Sequence, residues 1–362
     1  MVTKIDPGEL YFITSLDPIS GKSQGFYKIG IVRNLRETAE RIKEHQTGNP
    51  HRVVPYEVLK TEAPLLIEQI LHGKYRAKQM STEWFKFTDS ERDDAIKEAK
   101  KLEKIHGPTL KALRPLYYKS STKSMLTLTG AALKNAKKLL DEAYNLEVEV
   151  KKSYYLMKAA EHKLKTLNAD NGEGIAGVTS VKFTPKKEGF NFTKWKSKAT
   201  KAQKKKCEKP QKVDTTFELL YPKSGGKKAT EGHWKTLHAA ESKDEADEKK
   251  KIPKHLPSAF NRSGLLKRTK KIEDLHEIYC DQYGKNNLRK KELEAKILQI
   301  MMICKEHKGI DKICNWERKA QAPEVNESLM KQHFPADLSD KKFFKETKEK
   351  ATISVYSFRP YV

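Results

Sequence analysis

Apolar and polar positions alternate in short runs over residues 8–90, then give way to long stretches with helical spacing. Leu10-Tyr11-Phe12-Ile13 and Phe26-Tyr27-Lys28-Ile29-Gly30-Ile31-Val32 predict two strands, separated by the turn-rich Asp17-Pro18-Ile19-Ser20-Gly21. Leu35, Ala39, Ile42 and Gln46 then share one helical stripe, which Gly48-Asn49-Pro50 ends. Arg52 to Leu59 predicts a third strand. Residues 62–77 predict a helix whose apolar side carries Leu66, Ile67, Ile70 and Leu71. Glu83-Trp84-Phe85-Lys86-Phe87 closes the unit as a strand, and a charged helix follows to about His106.

Beyond that point the pattern turns helical. Leu133, Ala136, Leu140, Ala143, Val150, Tyr154, Met157 and Leu164 keep 3-4 spacing, interrupted by Glu147 and Glu161, and predict a helical hairpin or short coiled coil. Residues 182–212 hold twelve Lys, two Glu and the aromatics Phe183, Phe190, Phe192 and Trp195, the composition of a flexible arm. After a charged spacer from Ser242 to Lys254, a helical region runs from Leu265 to about Trp316, with Leu293, Ile297, Ile300, Met301 and Cys304 as its core face. The fold class expected is an α/β N-terminal domain, a small mixed β-sheet flanked by helices, followed by a mostly α-helical, basic C-terminal region. The expected boundaries are 1–108 for the α/β domain, 109–168 for a helical connector, 169–254 for the Lys-rich arm and linker, and 255–362 for the basic helical region.

Charge sharpens this division. The 362-residue chain has a formal net charge of +25, of which residues 1–108 contribute +2 and residues 109–362 contribute +23. Such asymmetry points to a polyanion, most often nucleic acid. Lys outnumbers Arg 61 to 12, which favours contacts to phosphate over bidentate reading of base edges. Within the arm, Lys194, Trp195, Lys196, Lys198, Lys204, Lys205 and Lys206 are the candidate nucleic-acid contacts, lysines for phosphate and Trp195 for stacking or anchoring. The alternative for the arm is a solvated tail. The longest apolar run, Ile297 to Cys304, is too short to span a bilayer, the first residues show no apolar signal region, and four scattered cysteines suit a reducing compartment. The expectation is a cytoplasmic protein.

Several polar residues of the N-terminal unit fall at suggestive places. Tyr11 and Lys28 lie on the first two strands; Arg41 and His45, four apart, share one helix face; Glu68, His72 and Arg76 form a stripe away from the Leu66/Ile70 side. The segments Arg41-Ile42-Lys43-Glu44-His45-Gln46-Thr47-Gly48-Asn49-Pro50, Glu68-Gln69-Ile70-Leu71-His72 and Glu83-Trp84-Phe85, following Tyr27-Lys28-Ile29-Gly30, come in an order that resembles the GIY-YIG nuclease superfamily. More narrowly, it resembles the phage-rich branch, whose second motif reads Lys-Ile-Gly. The first motif departs, reading Glu9-Leu10-Tyr11 in place of Gly-Ile-Tyr, and Lys28 stands where many members carry a second Tyr.

The resemblance implies a metal-dependent DNA endonuclease that hydrolyses phosphodiester bonds by nicking or double-strand cutting, with the basic C-terminal part anchoring it on DNA. RNA is a further possible partner, and the working state is a monomer or dimer on DNA. It implies Glu68 as the ligand of one Mg²⁺ or Mn²⁺, which needs few protein ligands. Arg41 would bridge phosphate oxygens, Tyr11 would be the general base, and Lys28, His45 and His72 would tune or assist it. The same residues have plainer readings: a strand tyrosine, an exposed strand lysine, a solvated helix carboxylate, and an Arg41 paired with Glu37 or Glu44. The rival to an enzyme is a catalytically inactive nucleic-acid-binding regulator or structural protein on a nuclease-derived fold. A zinc site from His276, Cys280, Cys304 and His307 is a weaker alternative, since Cys304 also belongs to a core stripe.

Overall fold

The computed structural model describes residues 5–33, 37–47, 51–81, 83–169, 174–184, 186–209, 214–221, 239, 242–243, 246, 267–319, 323–347 and 350–358. The N-terminal unit is built on β1 (Gly8–Leu16), β2 (Ser23–Arg33), β3 (Arg52–Thr61) and β4 (Trp84–Lys86), in the spatial order β3-β1-β2-β4. Every pairing is antiparallel, so the sheet expected as mixed is antiparallel throughout. Alternation decides which side chain faces which layer. Leu10, Phe12, Tyr27 and Ile29 enter the large core, whereas Tyr11, Ile13, Val32 and Val53 line the opposite face under Ile42.

Ile42 belongs to α1 (Thr38–Gln46), which covers that second face. Leu35 and Gly48-Asn49-Pro50, expected to begin and end this helix, lie outside the described residues. The large core is covered by α2 (Pro64–Lys74), which opens with proline where its missing N–H costs nothing, and by α3 (Asp89–Tyr117). Thr88 and Glu91 start α3 with a reciprocal capping box. The helix runs past the expected end at His106 and through Pro108, because Leu110 and Leu113 one to two turns later are buried in the same core. Tertiary burial outweighs the proline penalty there.

Of the connector expected over 109–168, the first residues complete α3 and residues 130–169 form one long helix, α4 (Gly130–Ala169). After it come β5 (Thr179–Thr184), β6 (Lys187–Phe190), α5 (Phe192–Lys198), α6 (Lys201–Lys206), β7 (Glu208–Lys209) and β8 (Asp214–Leu219). The C-terminal part holds α7 (Lys270–Cys304), β9 (Gly309–Ile310), β10 (Cys314–Lys319), β11 (Glu324–Val325), α8 (Glu327–His333), β12 (Phe344–Thr347) and β13 (Lys350–Val355). It is mostly helical, as expected, and carries small antiparallel sheets beside its helices. The partner of α4 is α7, running antiparallel: Glu142 pairs with Lys296, Glu149 with Arg289, and the Val150 carbonyl accepts from Asn286 at 2.7 Å. Glu147 and Glu161, which interrupt the apolar pattern of α4, make ion pairs with lysines on the same helix instead.

The flexible arm expected over 169–254 is a folded element over 179–209. Strands β5, β6 and β7 pair with β13, β12 and β11, and a local core gathers Trp195, Ala199, Cys207, Met330 and Phe343. The aromatics among the lysines find their apolar partners more than a hundred residues downstream, which local composition cannot announce. The spacer Ser242–Lys254 lies almost wholly outside the described residues. Among the described residues no helix is long and apolar enough to cross a membrane.

Candidate active site

The sheet is incomplete on one side, and the candidate residues meet there. β4 pairs with β2 only from Phe26 to Lys28, so the edge of β2 beyond Lys28 has no strand neighbour from β4. At that opening the backbone of Ile29 is completed by other groups: its N–H donates to the Glu83 carbonyl at 3.1 Å, and its carbonyl accepts from His72 Nε2 at 3.0 Å. Because a carbonyl only accepts, His72 carries its proton on Nε2. Burial pushes its pKa down and the carbonyl bond pulls it back up, with burial prevailing. The free edge lets α1 on one face and α2 on the other approach the same point.

From the α1 face come Tyr11, Lys28, Arg41 and His45. Tyr11 stands opposite Gly30 across the β1–β2 ladder, and a Cβ at Gly30 would lie 2.5 Å from its hydroxyl oxygen. The glycine of the Lys-Ile-Gly segment therefore makes room for the tyrosine ring. Tyr11 Oη lies 3.4 Å from His45 Nε2. Burial raises the Tyr11 pKa, the hydrogen bond and charge of Arg41 lower it, and Glu83 and Glu68 add to the rise, which prevails. His45 is shifted down by burial and by Lys28 and Arg41, so near neutral pH its ring is uncharged and able to accept. Arg41 also pairs with Glu44, as the plainer reading expected, and so is shared between that partner and Tyr11.

Lys28 is buried rather than exposed, and its ammonium sits 2.5 Å from Glu83. Burial pushes the Glu83 carboxyl up, but Lys28, His72 and Arg41 outweigh it and leave the pKa below the usual carboxylate range. Glu68 comes from α2 and is only 8% exposed, which removes the solvated reading. Burial, with Glu83 close by, raises its pKa to about 8 despite Arg33, Lys28 and Lys291. Glu68, His72 and Glu83 line one cavity of about 490 Å³, and Arg76, the third member of the predicted stripe, lines it too, from the 3₁₀ turn that follows α2.

Two residues that sequence reasoning passed over hold this arrangement. Glu9, noted only as a departure from Gly-Ile-Tyr, accepts from the Thr38 N–H at 3.0 Å and the Thr38 hydroxyl at 2.7 Å. No side chain at the N-cap residue Glu37 bonds the helix start, so Glu9 ties α1 to β1 and fixes the helix that carries Arg41 and His45. Glu83 was quoted within Glu-Trp-Phe, yet its pairing with Lys28 crosses strands and has no signature in spacing.

The basic arm does not join this centre through Trp195. That indole is fully buried and donates to Asp337 at 2.7 Å, so it offers no stacking face. Lys194 donates to the Phe344 carbonyl at 2.6 Å, Lys198 to the Lys342 carbonyl at 3.4 Å, and Lys196 pairs with Glu324 at 3.7 Å. Lys204, Lys205 and Lys206 form the last turn of α6, with Lys205 and Lys206 exposed.

Among the described residues, no group of three or more His, Cys, Asp or Glu gathers as a metal centre. The zinc alternative fails on distance. His276 and Cys280 are neighbours at 3.4 Å, but Cys304 lies 24 residues further along α7, roughly 36 Å away at 1.5 Å per residue. Cys304 instead lies 3.4 Å from Cys314, and His307 faces the Ser124 carbonyl at 2.9 Å. A hard divalent cation asks for less: one or two carboxylate oxygens and a cleft that admits water. Glu68 and Glu83, both facing the open cavity, meet that requirement.

No curated protein and no solved structure matches the chain. Residues 10–101, about a quarter of its length and the segment that holds Tyr11, Lys28, Arg41, His45, Glu68 and His72, match the T5orf172 domain family, a phage-associated, nuclease-related domain.

Proposed function

We propose that the chain is a metal-dependent endonuclease that hydrolyses phosphodiester bonds in DNA. The observation that carries this reading is the meeting of Tyr11, Lys28, Arg41, His45, Glu68 and His72 at the open edge of β2, from two faces of one sheet. A structural role would not require six polar side chains from four elements to converge on one cleft. Glu68, with Glu83 in reach, would hold Mg²⁺ or Mn²⁺, which supplies positive charge against the phosphoryl oxygens. Arg41 stabilises charge that builds on those oxygens, exchanging its Glu44 contact for the substrate. Tyr11 would take the proton of the attacking water. Burial makes it a reluctant base, and neutral His45 relieves this by accepting the tyrosine proton at Nε2, a contact of 3.4 Å that tightens when the site fills. His72 holds the edge carbonyl of Ile29 and so keeps β2 in place, and Lys28 fixes Glu83.

The basic part of the chain would supply affinity for the DNA backbone, with binding that weakens steeply as salt rises. Supercoiled plasmid incubated with the full chain and Mg²⁺ tests the reading. Nicking or linearisation that needs the metal, and that Glu68→Ala abolishes while DNA binding persists, is the expected result. Salt-dependent binding without cutting of duplex or single-stranded DNA would instead leave a nucleic-acid-binding protein on a nuclease-derived fold.

A further inference from the structure

The cleft that holds Glu68, His72 and Glu83 is not closed by the matched domain itself. Its other wall is α7, more than 160 residues beyond that domain in the sequence, which contributes Tyr283, Asn287, Lys290 and Lys291. Two glycines make the close approach possible. A Cβ at Gly73 on α2 would lie 2.7 Å from Leu288 Cβ, and one at Gly284 on α7 would lie 2.7 Å from Arg76 Cγ. At Gly73 the two helices are therefore packed nearly backbone to backbone, at Gly284 α7 lies directly on Arg76, and α7 is a fixed part of the cleft.

A second cavity of about 460 Å³ continues the first along the same helix pair, sharing Gly73, Arg76, Gln79 and Gly284, and adds Lys74, Lys285 and Arg289 to its lining. Beyond the carboxylates of the candidate site the groove thus sets Lys74, Arg76, Lys285 and Arg289 against Asp281, an excess of positive charge. Two cations of the groove, Arg76 and Lys290, hold no carboxylate by hydrogen bond or ion pair among the described residues, although Asp281 lies near enough to Arg76 to act on its charge. Arg76 gives Nη1 to Gln79, but its Nη2 is buried with no hydrogen-bond partner. Lys290 is exposed at the cleft and pairs with no carboxylate among the described residues; its ammonium lies 6.0 Å from the centre of the Tyr154 ring. Partial burial of its ammonium and the charge of adjacent Lys291 push its pKa below the ordinary lysine range. A buried guanidinium N–H without an acceptor is destabilising, and two crowded cations repel. An entering phosphate oxygen corrects both.

The geometry points to the α2–α7 groove as the track for a DNA strand next to the reacting phosphodiester, with Arg76 and Lys290 as its phosphate-binding residues. This rests on the nuclease reading for the identity of the strand, and on the groove alone for the contacts. It assigns to a helix outside the nuclease-related domain a direct part in holding substrate, in addition to any diffuse attraction from the basic region.

The test uses the full chain carrying Glu68→Gln, so that the probe stays intact, and a fluorescein-labelled 20-base-pair DNA duplex titrated between 50 and 200 mM salt. Lys290→Ala is expected to weaken binding by about three- to tenfold at the lower salt and to reduce the slope of log K against log salt by about 1, while Lys290→Arg restores both. Lys290 is exposed, so the variant should melt like its parent. An unchanged affinity and slope in a normally melting Lys290→Ala protein would overturn the proposal, and plasmid cutting by the unmodified chain would still stand or fall by itself. Conversely, a chain that never cuts DNA but loses affinity on Lys290→Ala loses the nuclease reading and keeps the groove.

Discussion

Glu68 is a buried carboxyl with another carboxylate close by, and its state in the metal-free protein follows from that. Its pKa of about 8 lies above the ordinary 4.5, so between those values the folded chain holds a proton that the unfolded chain has lost. Stability then falls as pH rises through that window, by at most about 1.4 kcal/mol per pH unit. Glu68→Gln keeps the shape and removes the titration. In chelator, urea unfolding of the wild type should lose on the order of 2–4 kcal/mol relative to Glu68→Gln between pH 5 and pH 8. Parallel pH profiles for the two proteins would show that Glu68 is not desolvated. Most of the centre could be found in the sequence because each of its residues sits in a short segment whose order resembles a known nuclease. What stayed hidden was the company each keeps. Glu9 reaching Thr38 and Glu83 reaching Lys28 are contacts across strands and helices, and spacing along one element carries no record of them.

At the scale of elements, alternation and helical spacing located β1, β2, β3, α1 and α2, since each buries one face and the period of burial is written in the chain. Partners more than a hundred residues away were not legible. The aromatics around Trp195 suggested a ligand because Met330 and Phe343, which bury them, lie far downstream. The glycine contacts between α2 and α7 were equally silent, yet they set how near the cationic wall stands to the candidate site. Their two clashes differ in kind. Alanine at Gly73 meets Leu288 Cβ at 2.7 Å and its Cα at 3.2 Å, atoms fixed to a helix, while alanine at Gly284 meets Arg76 Cγ at 2.7 Å, an atom that rotation about the Arg76 Cα–Cβ bond can carry away. Alanine gains about 1 kcal/mol of helix propensity over glycine at either place. Gly284→Ala should therefore stay within about 1 kcal/mol of wild type, whereas Gly73→Ala should lose about 1–2 kcal/mol net as the overpacked helices separate. Equal denaturation midpoints for the two variants would mean that α2 and α7 are not held so close.

For the whole molecule, the charge asymmetry between residues 1–108 and the remainder suggested a self-contained cutting domain joined to a separate basic anchor, and the packing does not follow that line. One apolar core begins in the sheet with Phe12 and Ile29, passes through α2 and α3, and takes in Ala136 and Leu140 of α4, Leu298 and Met301 of α7, and Trp316 of β10. Charge lies on the surface and can change sign at a point in the sequence that the core crosses without interruption. A fragment ending at residue 118 keeps α3 but strips α2 and α3 of their α7 neighbour, exposing Leu110, Leu113 and the Gly73 face. Each large side chain so uncovered forfeits about 1.5–3 kcal/mol, and three or four of them are comparable to the whole stability of an ordinary domain. The fragment is therefore expected to be aggregated or to melt without a cooperative transition. In the full chain, unfolding followed through Trp84 in the sheet and Trp316 in β10, each as the sole tryptophan in turn, should give one midpoint. Two separate midpoints, or a fragment that melts sharply and cuts DNA alone, would mean that the nuclease-related domain is independent and that α7 only borders it.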